Sequence, residues 1–380
     1  MEFSLSDEQR MMQQTAREFA ESEVAPVART LDHNSEWPSA LIARLAELGF
    51  MGVFVPEEQG GAGMDYLSYA IAIEEISRAC ASTGVIMSVN NSLVCGPLLS
   101  FGSEAQKQDI LKPLASGQAL GCFGLTEPSS GSDAAHMDTT ATRAGEDWII
   151  QGSKNWITNG PHADWMIVMA AHDKSLGAKG VSAFLVHKDD AGFVPQPRDE
   201  KLGIHAAHSC TIFFEQCRVP ATRILGQPGD GFKLAMGALD GGRIGIAAQA
   251  LGIARAAFEK ARDYTHERRA FGSLLRDKQA IQFMLADMAT ELEASRWLIW
   301  RAAWLHDQGQ RHTQESAIAK LIASESATRI THKALQIYGG YGYSKEYDLE
   351  RHYRDARITE IYEGTSEIMR VVIAATMLRS

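Results

Sequence analysis

Between about residues 118 and 225 four short β-type runs follow one another with no helical pattern between them. They are Trp148-Ile149-Ile150, Trp165-Met166-Ile167-Val168-Met169, Ala183-Phe184-Leu185-Val186 and Thr211-Ile212-Phe213-Phe214, separated by Gly, Pro, Asn and Asp turns. Consecutive parallel strands need a long crossover, usually a helix, so the spacing predicts a small antiparallel sheet, a barrel or sandwich, and not βαβ units. Residues 1–117 read as helical, with segments at Ser6–Arg29, Trp37–Leu48 and Tyr66–Ala81, and Ser6 placed to cap the first of them with Gln9 reaching back. Gly60-Gly61-Ala62-Gly63 reads as a loop between helices. Residues 226–380 return to helix. Ile281, Leu285, Met288, Leu292 and Ile299 recur at three, four or seven residues, one face of a long helix, and further helices are expected over Gln314–Ile337 and Thr365–Leu378. Gly245 to Gly252 is rich in small side chains, which lets helix backbones approach. The predicted architecture is mainly α with a β middle domain: an N-terminal helical domain (1–117), an antiparallel β domain (118–225) and a C-terminal helical bundle (226–380).

Charge and cysteine usage remove whole classes of function. With 37 Lys and Arg against 47 Asp and Glu, the net charge of −10 argues against a general nucleic-acid or anionic-membrane surface. Cys80, Cys95, Cys122, Cys210 and Cys217 are scattered, without CxxC spacing, so neither a disulfide framework nor a metal site is expected. The acidic start, Met1-Glu2-Phe3-Ser4, lacks the basic flank and apolar run of a signal peptide. No run of ~20 apolar residues stands out as a membrane span. A cytoplasmic location is expected, or a mitochondrial matrix one if a transit peptide has been removed. Neither G-x-G-x-x-G nor G-x-x-x-x-G-K-[ST] occurs, and H-E-x-x-H and G-x-S-x-G are absent as well.

Three segments remain as candidates for chemistry. Phe123 to Asp133 is a Gly/Ser/Pro loop at the entrance to the sheet, able to offer N–H and hydroxyl groups to phosphate, though a plain solvated connection has the same composition. Trp156 and Thr158 are two apart and share a face of a strand, an aromatic wall beside a hydroxyl, unless Trp156 packs in the sheet core. Near the C-terminus, Glu363 follows Ile361 and Tyr362 and precedes Gly364, so its carboxylate can be set against an apolar wall, where desolvation would make it a stronger base. A surface glutamate in a loop fits the same letters. Thr365 can cap the last helix, whose free N–H groups attract anions.

Taken together, Leu125-Thr126-Glu127-Pro128 with Gly131-Ser132-Asp133, Trp156-Ile157-Thr158, Asp240-x-x-Arg243, Arg268-x-x-Phe271-Gly272, Gln336-x-x-Gly339-Gly340-x-Gly342-Tyr343 and Ile361-Tyr362-Glu363-Gly364-Thr365 resemble the acyl-CoA dehydrogenases, in order and spacing over nearly the full chain. The nearest likeness is to the short-chain, butyryl-CoA branch. The resemblance implies non-covalent FAD and an α,β-elimination in which Glu363 takes the α-proton while the β-hydrogen leaves as hydride to the flavin. The thioester carbonyl would be held by the Glu363 N–H and a ribityl hydroxyl. It further implies that Phe123, Leu125 and Thr126 line the flavin, with Ser132 near the phosphates or the substrate, Trp156 flanking the ring and Thr158 donating to it. Arg268, Gln279, Gln336, Gly339 and Gly340 would hold the pyrophosphate and adenosine from a neighbouring subunit of a homo-oligomer, usually a tetramer, with Thr365 and Glu367 completing the set. Asp240 and Arg243 would meet the CoA portion and Gly364 the substrate, unless the first two form only an ion pair joining helices. Electrons would pass to an electron-transfer flavoprotein. Some relatives carry their base just before the arginine of Asp-x-x-Arg; that position is Gly242 here, leaving Glu363 as the carboxylate at either family position. A short branched-chain dehydrogenase, an acyl-CoA oxidase and a scaffold that has lost its cofactor are the other readings.

Overall fold

A computed structural model of the chain describes residues 4–378; Met1 to Phe3, part of the N-terminal reading above, and the last two residues lie outside them. The N-terminal region contains α1 (Asp7–Phe19), α2 (Ala25–Asn34), α3 (Ser39–Glu47), α4 (Tyr66–Ala79), α5 (Ala81–Ser88), α6 (Gly96–Phe101), α7 (Glu104–Gln106) and α8 (Lys112–Ala115). Ser6 caps α1 as expected: its hydroxyl accepts from the Gln9 N–H and the Gln9 side chain accepts from the Ser6 N–H. Helix continues through a π turn at Ala20–Val24 into α2, so the first helical run extends past the Arg29 read from sequence and stops at Asn34, where Ser35 turns left-handed. The expected Tyr66–Ala81 helix ends earlier, because Cys80 adopts an extended conformation between α4 and α5.

One helical stretch has the length and apolarity of a membrane span, which the sequence did not suggest. Among the described residues, Ala81–Phe101 is a helical stretch long and apolar enough to cross a bilayer, with mean hydropathy 1.3, and 78% of that window is buried inside the protein. Its polar side chains serve as pins between layers. Asn90 donates to the Met51 and Leu114 carbonyls and accepts from the Gly121 N–H, while Asn91 donates to the Phe50 and Met87 carbonyls and accepts from the Val53 N–H. Buried amides survive in a core when every group is satisfied, and these tie the helix to loops that would otherwise have orphan backbone groups.

The sheet follows: β1 (Gly121–Gly124), β2 (Thr140–Ala144), β3 (Asp147–Thr158), β4 (Trp165–Ala171), β5 (Val181–His187), β6 (Phe193–Pro195), β7 (Ser209–Val219) and β8 (Ile224–Leu225). Its order is β6-β7-β3-β2-β4-β5-β8, with β1 paired to β4. Most neighbours are antiparallel, but β1 runs parallel to β4, and β2 meets β4 in parallel at Thr140 and Ala171. The chain between β1 and β4 passes through a long loop and the β2–β3 hairpin, so no tight turn dictates the direction of that pairing. Strand β4 is buried on both faces. Met166, Val168 and Ala170 belong to a small core inside the sheet domain with Trp148, Phe184 and Phe214, while Ile167, Met169 and Ala171 join the large helical core. That two-sided burial explains why β4 reads as an unbroken apolar run.

The C-terminal bundle is built on α9 (Gly231–Glu267), α10 (Gln279–Asp307), α11 (Thr313–Tyr338), α12 (Leu349–Ile358) and α13 (Ser366–Met377), with a two-strand ribbon of β9 (Arg269–Ala270) and β10 (Ser273–Leu274) after α9. Helix α9 packs on α11, α4 and α10. The α10 and α11 bounds agree with the periodicity; α12, short and dense in charge, with Leu349 and Ala356 as its buried apolar residues, has no counterpart in the sequence reading. Small residues on α9 let α4 press close: a Cβ on Gly241 would lie 2.5 Å from the Tyr66 hydroxyl, and one on Gly252 would overlap the Glu74 carbonyl. All five cysteines are free and buried.

Candidate active site

Glu363 occupies the turn between α12 and α13. Its φ is +52° and that of Gly364 is +105°, two consecutive left-handed residues; for a glutamate this conformation costs roughly 1–2 kcal/mol and has to be held by its surroundings. Several bonds hold it. The Ser366 N–H donates to the Glu360 carbonyl (3.0 Å), Lys320 Nζ on α11 donates to the Gly364 carbonyl (2.6 Å), and Thr365 caps α13 through its hydroxyl, which accepts from the Ile368 N–H (3.3 Å). Tyr362 donates to Gln249 of α9, whose amide donates to the Ala81 carbonyl (2.9 Å). Among the described residues the Glu363 N–H meets no backbone acceptor.

The side chain enters a space bounded by α9 and α4. Glu363 Oε2 is sealed from solvent and, among the described residues, has no hydrogen-bond partner. A Cβ on Gly242 would overlap that oxygen and come within 2.8 Å of Leu93 Cδ2. The apolar wall is thus Leu93 and the bare backbone of α9, whereas Ile361, a candidate for it from sequence, is 46% exposed. Burial pushes the Glu363 carboxyl up to about 7, with Lys320 and Arg243 pulling the other way. Arg243 is buried and pairs with Asp240 at 2.7 Å; Asp240 also accepts from Thr313 Oγ1 at 2.7 Å. The ion pair lies within α9 and does not join helices; the link to α11 comes through Thr313. Beyond the carboxyl, the Tyr69 hydroxyl meets Ser88 Oγ at 2.8 Å, and both would clash with a Cβ on Gly245, one turn along α9 from Gly242.

At the sheet entrance, Phe123 and Leu125 sit at the rim of the helical core, Thr126 is half-buried and Ser132 is exposed. The loop beyond them is fastened by two residues to which the sequence reading gave no role. Glu127, buried, accepts from the Asp138 N–H (2.5 Å), the Thr139 N–H (3.0 Å) and Lys154 Nζ (2.6 Å); Lys154, also buried, donates to the Leu125 carbonyl (3.2 Å). Trp156 is 58% exposed, which excludes a place in the sheet core, and its φ of +61° marks a bulge where β3 shifts register against β7. It flanks the buried Ile157 on one side as half-buried Thr158 does on the other.

A separate cleft of about 520 Å³ lies at the end of α11, lined among others by Tyr264, Arg268, Tyr338, Gly339, Gly340 and Tyr341. Tyr264 and Tyr338 stack at 4.0 Å and the Arg268 guanidinium stands 5.6 Å over the Tyr341 ring. Gln279 and Gln336 are exposed and do not line it, so the cleft brings together three of the five residues expected there. Phe271, three residues after Arg268, is fully exposed. Glu367 is exposed in the first turn of α13.

These features fit a large flavin nucleotide. An outward-facing indole beside a fastened loop offers a stacking wall, and nothing lies within 4 Å of where Cβ atoms would stand on Gly339 and Gly340, so backbone there is open to close approach by phosphate. Domain models of the acyl-CoA dehydrogenases match the chain throughout: the N-terminal domain at residues 6–118, the middle domain at 122–217 and the C-terminal domain at 229–378. The chain belongs to the acyl-CoA dehydrogenase family, FAD-dependent oxidoreductases. It is 54% identical over 376 residues, 99% of this chain and 91% of the relative, to the mitochondrial short-chain specific acyl-CoA dehydrogenase of Bos taurus. It superposes on butyryl-CoA dehydrogenase from Megasphaera elsdenii with a TM-score of 0.98, at 44% identity and with both chains fully covered. A structure described for the electron transferring flavoprotein of Acidaminococcus fermentans and flavin-based electron bifurcation matches with a TM-score of 0.99 and 46% identity over the whole of both chains.

Proposed function

We propose that this acyl-CoA dehydrogenase desaturates short straight-chain acyl-CoA thioesters such as butyryl-CoA to the trans-2-enoyl product, with Glu363 as the base and an electron-transfer flavoprotein as acceptor. The observation that carries the reading is the Glu363 carboxyl, sealed on one oxygen, unpartnered and raised to about 7. A base works best when its pKa lies near the working pH, and desolvation supplies that here. In its anionic form Glu363 takes the α-proton onto a carboxylate oxygen. The thioester carbonyl gains negative charge as that proton leaves, and the uncommitted Glu363 N–H is available to donate to it. FAD, when bound, supplies the acceptor for the β-hydrogen, which leaves as hydride. On this reading Trp156, Thr158, Phe123, Leu125 and Thr126 bind the ring and Ser132 lies at the phosphates. Arg268, Gln279, Gln336, Gly339 and Gly340 serve a neighbouring subunit of a tetramer, with Thr365 and Glu367 at the last helix; the exposed Phe271 next to Arg268 supports packing against another copy. Asp240 and Arg243 act on the CoA side and Gly364 at the thioester.

The short acyl tail is supported by the Tyr69–Ser88 hydroxyl pair, which closes the space one helical turn beyond the base with polar groups, and by the names of the relatives. Anaerobic mixing with acyl-CoAs from C4 to C16, followed by flavin bleaching, checks it. The four-carbon substrate should bleach fastest, with eight carbons and longer slower by about tenfold or more; equal rates for long chains would refute the short-chain assignment. Transfer of electrons to an electron-transfer flavoprotein is supported by the structural match, and air reoxidation that is slow compared with turnover is the matching observation.

Gly242 gives a further test. Gly242→Ala puts a methyl where the Glu363 carboxylate sits, so the base has to swing away. Turnover should fall about 100-fold while the flavin spectrum stays unchanged, since angstrom-scale misplacement of a reacting group costs that much. A variant with wild-type kcat would show that the carboxylate does not work from this position.

A further inference from the structure

Lys320 is fully buried in α11, among Ala317, Ala319 and Ala323, where a lysine has no reason to be on packing grounds. Its ammonium donates to the Gly364 carbonyl at 2.6 Å and, among the described residues, makes no ion pair. The acceptor belongs to the left-handed pair Glu363–Gly364, whose glutamate is strained at φ +52°. The groups that face Glu363 come from every side: Tyr66 and Tyr69 on α4, Arg243 on α9, Lys320 on α11, and Tyr362 next to it in sequence. Burial and the Glu363 charge hold the three tyrosine hydroxyls above their ordinary range, so they stay neutral. Arg243 has its charge matched by Asp240 at 2.7 Å. Lys320, which itself faces Glu363, Arg243, Glu360 and Glu367, is the cation without a paired anion.

We propose that Lys320 is a positioning residue for the Glu363 base: its ammonium clamps the Gly364 carbonyl, fixes the turn that presents Glu363, and sets an uncommitted positive charge against the carboxylate. The inference rests on Glu363 being the base. Burial draws Lys320 down to about 8 against the opposing pull of Glu363, and Glu363 stands at about 7, so near neutral pH the ammonium is charged and a large share of the base is ionised. Without Lys320 the carboxyl loses a favourable charge and its pKa rises.

The test is the pH profile of flavin reduction by butyryl-CoA between about pH 5.5 and 9, on the holoenzyme. Lys320→Gln keeps an N–H for the Gly364 carbonyl and loses the charge; Lys320→Met loses both; Lys320→Arg keeps both. The acid limb should move up by about one pH unit in the Gln and Met variants, the shift expected for removing one nearby opposite charge, and stay in place in the Arg variant. The Met variant should also lose about tenfold more at the plateau than the Gln variant. A Gln variant whose limb coincides with wild type, or whose rate drops equally at all pH values, overturns the proposal and leaves Lys320 a packing residue. Should the Met variant fail to fold, the Gln and Arg variants still decide. Glu363→Gln separates the two claims: if it keeps the wild-type rate and limb, the base assignment has failed, whereas if it is inactive and Lys320→Gln is unshifted, the role of Lys320 alone has failed.

Discussion

Glu363→Gln should fold, bind FAD with the wild-type absorption spectrum, and turn over butyryl-CoA at about one ten-thousandth of the wild-type rate or less, because an amide cannot accept the α-proton. The loss belongs in kcat, with substrate binding little changed, since Gln fills the same space against Gly242 and Leu93. A second readout is independent of catalysis. The Glu363 carboxyl is at about 7 in the folded protein against an ordinary 4.5. At pH 4 it is mostly protonated in both states and costs little. As pH rises from the unfolded value through the folded one, the unfolded chain ionises first and the wild type loses stability. Gln never ionises, so the variant should be the more stable protein at pH 8, by on the order of 1–2 kcal/mol once the Lys320 ammonium left facing it is allowed for, and equal to wild type at pH 4. Activity near wild type, or a stability difference that does not change with pH, would show that residue 363 is neither the base nor a buried ionising group. Proteins often hold such destabilising groups where they act.

How much of this was readable beforehand depended on whether a residue's job is local. Helices α10, α11 and α13 announced themselves by spacing and by Thr365, and the sheet by its turns. The Ala81–Phe101 helix was hidden by Ser88, Asn90, Asn91 and Ser92, which look like loop residues until loops from elsewhere in the chain supply their partners. Glu363 was nameable from its motif, but its apolar wall comes from Leu93 in the N-terminal domain and from Gly242 on α9, more than a hundred positions away, and no periodicity encodes that. Gly242 looked like the absence of a rival carboxylate; in three dimensions its missing side chain is the room the Glu363 carboxylate occupies. Lys320 carried one faint signal, a charge on the same helical face as Ser316, Ala317, Ala323 and Ala327, all buried. A lysine at a core position asks for a partner, and the sequence cannot say that the partner is the backbone carbonyl of Gly364, next to Glu363.

The same reasoning applied to Lys154 gives the largest expected loss of stability. Lys154 and Glu127 are both buried and meet at 2.6 Å. Burial alone would raise the Glu127 carboxyl, but the Lys154 charge and the donors at Thr139 and Asp138 outweigh it and leave the group below its ordinary range, while burial draws Lys154 down to about 8. Through these bonds the pair ties Leu125 to Asp138 and Thr139, the two ends of the loop that carries Ser132. Lys154→Met leaves a buried carboxylate against a thioether with only its N–H donors, and removing one partner of a buried pair costs about 3–5 kcal/mol. The thermal midpoint should therefore fall by several degrees, and the loop, freed at Leu125, should bind FAD about tenfold more weakly in a fluorescence titration of the apoprotein. The double variant Glu127→Leu with Lys154→Met removes the stranded charge, so it should regain much of the stability. FAD affinity should not return with it, because the Asp138 and Thr139 N–H groups then have nothing to hold them. If the double variant regains both, the pair matters only for the cost of an unpaired charge; if the single variant melts with wild type, the carboxylate must reach water and the loop is not fastened in this way.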